Sequence, residues 1–182
     1  MIGAGRVLAC LCSAALLGGM MLTEPDYNSV FRPFVTHVAA SETGETRLFA
    51  ARFTGWQTAE SIDVASLGQE LHRDTEGRFL IVDLELTGTI SSTSLAASWQ
   101  GASGRRYDTT KRISSFARDL RALTIQPGLQ NKAVAVFELP ADEIAGGRLI
   151  LEARFDPPLE GTLHLAPPGP VPADAAVVRL DG

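Results

Sequence analysis

The feature that most constrains the fold is a strict two-residue period in the segment RFLIVDLELTG, residues 78–88. Its even-numbered positions are all apolar: Leu80, Val82, Leu84 and Leu86. Its odd-numbered positions begin apolar at Phe79 and become charged at Asp83 and Glu85. A helix would place these carboxylates in the same stripe as the leucines, whereas a strand separates the two sets onto opposite faces. The segment is therefore predicted to be a core strand with one dry face and one face that becomes wet along its length.

The same period recurs between residues 46 and 166. It is found in TRLFAARFTGW (46–56), SLAASWQ (94–100), KAVAVFELP (132–140), GGRLILEARF (146–155) and TLHLA (162–166). Turns with glycine or proline, such as GASG (101–104) and Pro127-Gly128, separate most of these runs. The weakly patterned segment 62–76 is predicted to be a loop with a short helix or an edge strand. About seven short strands without a long helix predict an all-β domain, an immunoglobulin-like antiparallel sandwich of two sheets, with a closed barrel as the alternative.

An uncharged, mostly apolar run of 17 residues, Val7 to Thr23, lies between Arg6 and Glu24. Its length is near the lower limit of ~17–25 residues for a bilayer span. Arg6 before the run predicts a cytoplasmic N-terminus and an exported remainder, placed on a bacterial inner membrane. Three interpretations stay open: an uncleaved single-pass anchor, which leads, a cleaved signal peptide, and a lipoprotein signal ending at Cys10. Cys10 and Cys12 are the only cysteines, so the rest of the chain has no disulfide and no cysteine-based site.

These patterns divide the chain into four parts: an anchor or signal (1–23), a linker (24–45), the sandwich (46–166) and a C-terminal tail (167–182). In the linker, Phe31, Arg32 and Phe34 are predicted to contact the membrane surface, where aromatic rings and arginine are both well accommodated. The tail has four prolines in its first six residues and is predicted to be extended or mobile.

Four motifs resemble a broad group of bacterial cell-envelope immunoglobulin-like domains. They are GRFLIVDLEL with Gly77 and Val82, GRRY with Tyr107, LTIQPG with Pro127 and Gly128, and AVFELP with Phe137 and Pro140. The asparagine that often ends the first motif is replaced here by Thr87-Gly88. The resemblance covers about residues 46–166 and implies a sandwich fold and a location in the cell envelope. It implies no catalytic residue.

No arrangement of side chains in the sequence predicts catalysis. His72, Asp74 and Glu76 are spaced by two and would share a strand face, but a solvated edge or loop is the simpler interpretation than a site for a hard cation. Ser103 lies between glycines without the strand-to-helix context of a nucleophile elbow, so it is interpreted as a turn residue. No phosphate-binding loop, dinucleotide fingerprint or zinc spacing occurs. We therefore expect no enzyme activity, cofactor or metal.

The unusual charge feature is the basic segment, residues 105–121, in a chain whose net charge is −5. Its predicted contact residues are Arg105, Arg106, Tyr107, Lys111, Arg112, Phe116, Arg118 and Arg121. Such a segment could bind an acidic protein face, an anionic glycan or lipid head groups. The alternative is a long solvated connection whose arginines balance acids elsewhere on the domain.

Together these features predict a membrane-anchored extracytoplasmic binding or scaffold protein. Its partners would be integral membrane or periplasmic proteins, as an accessory subunit of an export, transport or envelope-biogenesis assembly, with the inner membrane held through residues 7–23. A secreted or surface module that recognises an anionic glycan or lipid through the basic segment is the alternative. Nucleic acid is not expected as a partner, because the chain is acidic and exported.

Overall fold

The computed structural model describes residues 5, 12–13, 15–20, 34–66, 69–113, 116–154 and 160–180. The chain forms two compact units, Met1–Arg32 and Pro33–Gly182. In the first unit residues 12–13 and 15–20 are helical. None of the helices in the described residues has the length and hydropathy needed to cross a bilayer. The predicted span, Val7 to Thr23, lies partly outside the described residues, so the anchor stays a prediction.

The second unit is a β-sandwich, which confirms the two-sheet prediction. Eleven strands occur in its described residues: β1 (Val35–Val38), β2 (Thr43–Glu45), β3 (Phe49–Ser66), β4 (Gln69–Gly88), β5 (Thr93–Gln100), β6 (Arg106–Asp108), β7 (Thr124–Ile125), β8 (Gln130–Leu139), β9 (Arg148–Ala153), β10 (Thr162–Leu165) and β11 (Asp174–Leu180). Short 3₁₀ helices cover Leu120–Ala122 and Ala141–Glu143. Sheet A has the strand order β1-β10-β9-β5-β6, with β7 paired to β5. Sheet B has the order β11-β3-β4-β8, with β2 paired to β3.

The central strands follow the sequence pattern. Leu80, Val82, Leu84 and Leu86 on β4 face sheet A, as do Phe49 and Phe53 on β3. Sheet A contributes Leu95 and Trp99 from β5 and Leu149 and Leu151 from β9. Each of these side chains is at most 1% exposed, which is the burial expected when alternate positions of facing strands interdigitate. The two-residue period therefore predicted correctly the strands that line this inner core.

For residues 62–76 the prediction of a loop with a short helix is wrong and the strand alternative is correct, because β3 and β4 continue through the segment as one long hairpin. Ser61 to Ser66 pairs with Gln69 to Asp74 in register beyond a shift at Ala59 and Ser61. Ile62 and Val64 are fully buried on one face of this hairpin, while Asp63 between them is polar and only partly buried. Residues 75–78 of β4 lie opposite the single residue Glu60 of β3, and these three extra residues change the phase of the alternation at the end of the segment.

The predicted linker and tail both contribute strands, so the sandwich extends beyond residues 46–166. In the tail, β11 pairs with β3 along Asp174 to Leu180, and in the linker, β1 pairs with β10 along Val35 to Val38. Both pairings are parallel, which corrects the prediction of a wholly antiparallel sandwich. β1 and β11 each lie at a sheet edge. The proline-rich segment before β11 therefore does not need to donate backbone hydrogen bonds to a further strand.

A second group of apolar residues covers the outer face of sheet B, and we call it the outer cluster. Its members are Ala59, Ile62, Val64, Phe79, Ile81, Ile113, Phe116, Val134, Val136, Val178 and Leu180. The chain between β6 and β7 reaches this face along the edge of β8. Thr110 donates its N–H to the Val136 carbonyl at 2.8 Å, and Val134 donates to the Arg118 carbonyl at 2.7 Å.

The strand ends define two ends of the sandwich, which we name proximal and distal. The strands β1, β10 and β5 begin at the proximal end, and β4 ends there. At the distal end β5 ends and β9 begins, joined through the turns 101–105 and 140–147. Eight residues of β5 separate the ends, which is roughly 25 Å at about 3.3 Å per residue.

Candidate anion-binding surface

The aromatic residues of the basic segment belong to the two cores. Phe116 is 7% exposed and packs in the outer cluster, and Tyr107 is half-buried against the inner core. Burying a phenylalanine side chain stabilises a fold by about 1.5–3 kcal/mol, so Phe116 holds its segment on sheet B. The prediction that Phe116 forms part of a docking surface is therefore wrong.

Three of the predicted contact arginines are held by carboxylates. The pairs are Arg112 with Glu138, Arg118 with Asp83 at 3.7 Å, and Arg121 with Asp119 at 2.6 Å. Arg121 also donates to the carbonyls of Thr110 and Ile113. Because Asp119 is only 5% exposed, this last pair closes the segment onto the domain and is not available to a ligand.

Two arginines that remain open, Arg106 and Arg148, lie on the outer face of sheet A. Gln100 on β5 is the register partner of both Arg106 on β6 and Arg148 on β9. Directly paired residues point to the same side of a sheet, so the three side chains form one cross-strand row. Neither guanidinium forms a hydrogen bond or ion pair with any residue that the structure describes. Asp108 is the nearest acid along β6, two residues from Arg106.

A pair of histidines lies on the same face, in the neighbouring row that Asp108, Ser98 and Ile150 begin. His37 and His164 are register partners on β1 and β10, and their rings meet edge to face at 5.2 Å between centroids. Both ring nitrogens of His164 are buried and have no hydrogen-bond partner in the part of the chain that the structure describes. Burial lowers the pKa of His164 to about 4, and the positive potential of His37, Arg106 and Arg148 adds to the shift. His164 is therefore neutral at pH 7 beside cationic arginines.

A cavity of about 320 Å³ opens at this place, between the histidines and the turn before β9. His37, His164 and Arg148 line it together with the backbone of Gly146 and Gly147. Arginine guanidinium and imidazole N–H are donors, and the described lining contributes no carboxylate. The arrangement can hold an anion by charge and hydrogen bonding, and it contains no positioned nucleophile or proton-transfer pair.

The distal turns that carry these residues are fixed by one buried carboxylate. Glu143 is 6% exposed and accepts hydrogen bonds from the hydroxyl of Ser103 and from its N–H at 3.0 Å. The Ser103 hydroxyl is the main reason that the pKa of Glu143 lies below its usual value. The Glu143 carbonyl accepts from the indole of Trp99 at 3.0 Å. Ser103 is thus a structural turn residue that ties the turn 101–105 to the turn 140–147.

A second, larger groove of about 900 Å³ lies on the other side of the distal end. Its walls are residues 74–78 of β4 and residues 138–141 at the end of β8 and just after it, with Arg112 between them. Arg112 and Thr75 both bond to Glu138, and Arg78 bonds to Asp174 at 2.9 Å. Both arginines of this groove are thus held by carboxylates, so the groove favours an anionic ligand less than the row on sheet A does.

The other predicted sites are distributed as follows. His72 is hydrogen-bonded to Asp63 at 2.6 Å and to Asp74 at 2.9 Å, and these carboxylates raise its pKa, Asp63 most. Among the described residues no group of three or more His, Cys, Asp or Glu side chains has the geometry to hold a metal ion. Phe34 is 82% exposed, whereas Phe31 and Arg32 lie outside the described residues.

Sequence reasoning selected Arg106 but missed its partners. These partners lie on four other strands, β9, β5, β1 and β10, and only the register of sheet A brings them together. They are Arg148, Gln100, His37 and His164. Knowledge that β5 pairs with β9 would have identified Arg148, because this pairing aligns the segment GGR (146–148) with the end of β5. That pairing depends on contacts distant in sequence, which local periodicity does not contain.

No protein-family model and no curated protein matches this chain. A structure of an uncharacterized β-sandwich protein from Clostridium difficile 630 is similar, with 12% identity, a TM-score of 0.45, and coverage of 73% of this chain and 95% of that one. The yjhA protein from Bacillus subtilis is also similar, with 12% identity, a TM-score of 0.49, and coverage of 71% and 99%. Neither protein's name includes an activity.

Proposed function

We propose that this chain is a membrane-anchored extracytoplasmic binding protein, whose immunoglobulin-like sandwich presents a site for an anionic group of a partner. The supporting observation is the row Arg148–Gln100–Arg106, which holds two arginines without a carboxylate partner among the described residues. Leaving two cations unpaired on one side of an acidic protein favours association with a negative surface. Residues 7–23 supply the anchor to a bacterial inner membrane, with the sandwich outside the cytoplasm.

Such a protein acts by positioning and has no chemical step of its own. An anchored module meets its neighbours at an effective concentration on the order of millimolar, so a weak charged contact is sufficient. This is the behaviour of an accessory subunit in a membrane-embedded assembly for export, transport or envelope biogenesis. The partner would present an acidic protein face at the height of the distal end.

A secreted or surface module that recognises an anionic glycan is the second candidate. The cavity beside Arg148 favours it, because a pocket lined by His37, His164 and glycine backbone suits a compact anionic group better than a flat protein face does. Both candidates use the same residues and are separated by the ligand that binds.

The test compares two probes, fluorescent heparin oligosaccharide for an anionic glycan and fluorescent poly-L-glutamate for an acidic protein face. We expect the double variant Arg106→Ser plus Arg148→Ser to weaken binding about tenfold, since two exposed charge contacts are worth up to ~1 kcal/mol each. The matched control is Arg179→Ser plus Lys132→Ser, which removes the same charge from exposed positions of sheet B. Equal loss in both double variants would show attraction to overall charge only and would reject the site.

A further inference from the structure

The proximal end of the sandwich gathers three turns around the point where the described domain begins. Thr162 donates its N–H to the Phe34 carbonyl at 2.8 Å. Across the same end, Thr89 donates to the Leu48 carbonyl at 3.0 Å and Gly128 to the Gly88 carbonyl at 3.1 Å. The last two bonds join the turns at residues 46–48, 88–92 and 126–129 to one another, and the first holds Phe34 on β10 at the same end.

This end carries most of the exposed apolar side chains of the second unit. Phe34 is 82% exposed, Ile90 60% and Leu129 53%, with Val35 beside Phe34 at 46%. Large apolar side chains that are exposed at the tips of turns do not stabilise the fold that carries them. Grouped on one end of a domain, they indicate a surface that is covered when the protein works.

The two turns that carry Ile90 and Leu129 are also uncharged. No Asp, Glu, Lys or Arg occurs from residue 86 to 104 or from 122 to 131. Arg47, which lies beside Thr89, is ion-paired with Glu160. An uncharged apolar tip can enter the head-group region of a bilayer without removing charges from water, which would be costly.

Chain connectivity identifies the occupant. Phe34 is the first described residue of the domain, and residues 24–33 separate it from the apolar run Val7 to Thr23. Ten residues span at most ~35 Å, so an anchored run keeps this end of the domain within reach of the lipid surface. The bilayer is therefore the apolar partner that connectivity brings to Phe34, Ile90 and Leu129.

We infer that the proximal end, through Phe34, Ile90 and Leu129, is a lipid-docking surface that sets the sandwich upright on the bilayer. The inference rests on the anchor in the proposed function. Docking at this end directs the row of Arg106 and Arg148 away from the lipid, toward whatever partner stands at the distal end.

The experiment uses the full chain with Cys10→Ser and Cys12→Ser, reconstituted in phosphatidylcholine vesicles. A spin label is placed at Ile90→Cys or Leu129→Cys, and at Ala102→Cys as the exposed distal control. Collision of each label is measured with oxygen, which concentrates in lipid, and with a water-soluble nickel chelate. We expect oxygen to be favoured at positions 90 and 129 and nickel at position 102. The same nickel-favoured collisions at all three positions would overturn the docking surface.

Flotation after a carbonate wash separates this inference from the anchor. Vesicle-bound protein with water-exposed labels at 90 and 129 rejects docking and leaves the anchor intact. Protein that does not float with the vesicles rejects both.

A further pair of variants tests the side chains themselves, with the label at Ser91→Cys. Ile90→Ser plus Leu129→Ser should raise nickel collisions there severalfold, whereas Val171→Ser plus Val177→Ser should leave them unchanged, and equal effects would overturn the assignment to this end.

Discussion

At the scale of single residues, close approach of backbone to a ring fixes the turn before β9. A Cβ added at Gly147 would lie 2.5 Å from the indole nitrogen of Trp99, closer than side chains tolerate. Trp99 is fully buried in the inner core and cannot retreat. Gly147 is required because the turn that carries Arg148 packs directly on the tryptophan.

We expect Gly147→Ala to lower the free energy of unfolding by about 1–3 kcal/mol, the usual cost of overpacking a core. Gly55→Ala is the matched control, since a Cβ there would meet Asp83 only at 3.7 Å, an ordinary contact. Urea unfolding followed by tryptophan fluorescence measures both. A cost at Gly147 no larger than that at Gly55 would contradict the packing described.

His164 makes stability depend on pH in a predictable direction. Its pKa in the fold is about 4, below the usual 6.5, because burial and the charges of His37, Arg106 and Arg148 disfavour the imidazolium. The stabilisation is complete above pH 6.5 and is lost as the pH falls toward 4. We therefore expect His164→Gln, which cannot titrate, to lose less stability than the wild type between those values.

The contrasting variant is His72→Gln. Asp63 and Asp74 raise the pKa of His72, so its contribution is present at low pH and is lost as the pH rises through the raised value. Urea midpoints at several pH values between 4 and 8 measure both variants. Parallel curves for wild type and His164→Gln would contradict the neutral, buried imidazole.

At the scale of elements, β11 converts a proline-rich tail into part of sheet B. Val178 and Leu180 point into the outer cluster and are 9% and 5% exposed, whereas Val177, directly before Val178, is 48% exposed. Ser61 also donates its hydroxyl to the Ala176 carbonyl at 2.9 Å. The strand is held by both side-chain burial and backbone pairing, so it belongs to the cooperative fold.

The two neighbouring valines offer a matched test of this docking. We expect Val178→Ala to lower the free energy of unfolding by ~1.5 kcal/mol, because about two buried methylene groups are lost. Val177→Ala should change it by less than ~0.5 kcal/mol, as at other surface positions. Thermal and urea unfolding of the two variants measure the difference. Equal, negligible effects would show that β11 does not pack on the outer cluster.

The elements that sequence could and could not predict differ in what determines them. β4, β5 and β9 each have one face in the inner core, and the resulting alternation was visible in residues 78–88, 94–100 and 146–155. The edge strands β1 and β11 alternate weakly, and their parallel partners are far away in the chain. Phe116 was predicted to be a contact residue for a related reason, because it is buried by a sheet face that the local sequence does not reveal. The composition of the basic segment identified Arg106, whereas its neighbours could be identified only from the register of sheet A.

At the scale of the whole molecule, the two proposed surfaces lie at opposite ends of the sandwich. The row Arg148–Gln100–Arg106 is at the distal end and Ile90 and Leu129 are at the proximal end, separated by the length of β5, roughly 25 Å. If the proximal end faces the bilayer, head groups of that bilayer lie beyond the reach of the arginines. The anionic ligand is then a partner outside the membrane surface, which favours an acidic protein or glycan over lipid.

This geometry predicts how the full chain responds to lipid charge. A fluorophore at Ala102→Cys, in the Cys10→Ser and Cys12→Ser background, reports its distance to acceptor-labelled lipid by energy transfer. We expect the same transfer on neutral vesicles and on vesicles with anionic lipid, because screening over a Debye length of ~10 Å at 0.1 M salt isolates the distal arginines from the head groups. An increase on anionic vesicles that Arg106→Ser plus Arg148→Ser abolishes would show instead that the domain lies flat and binds lipid through sheet A.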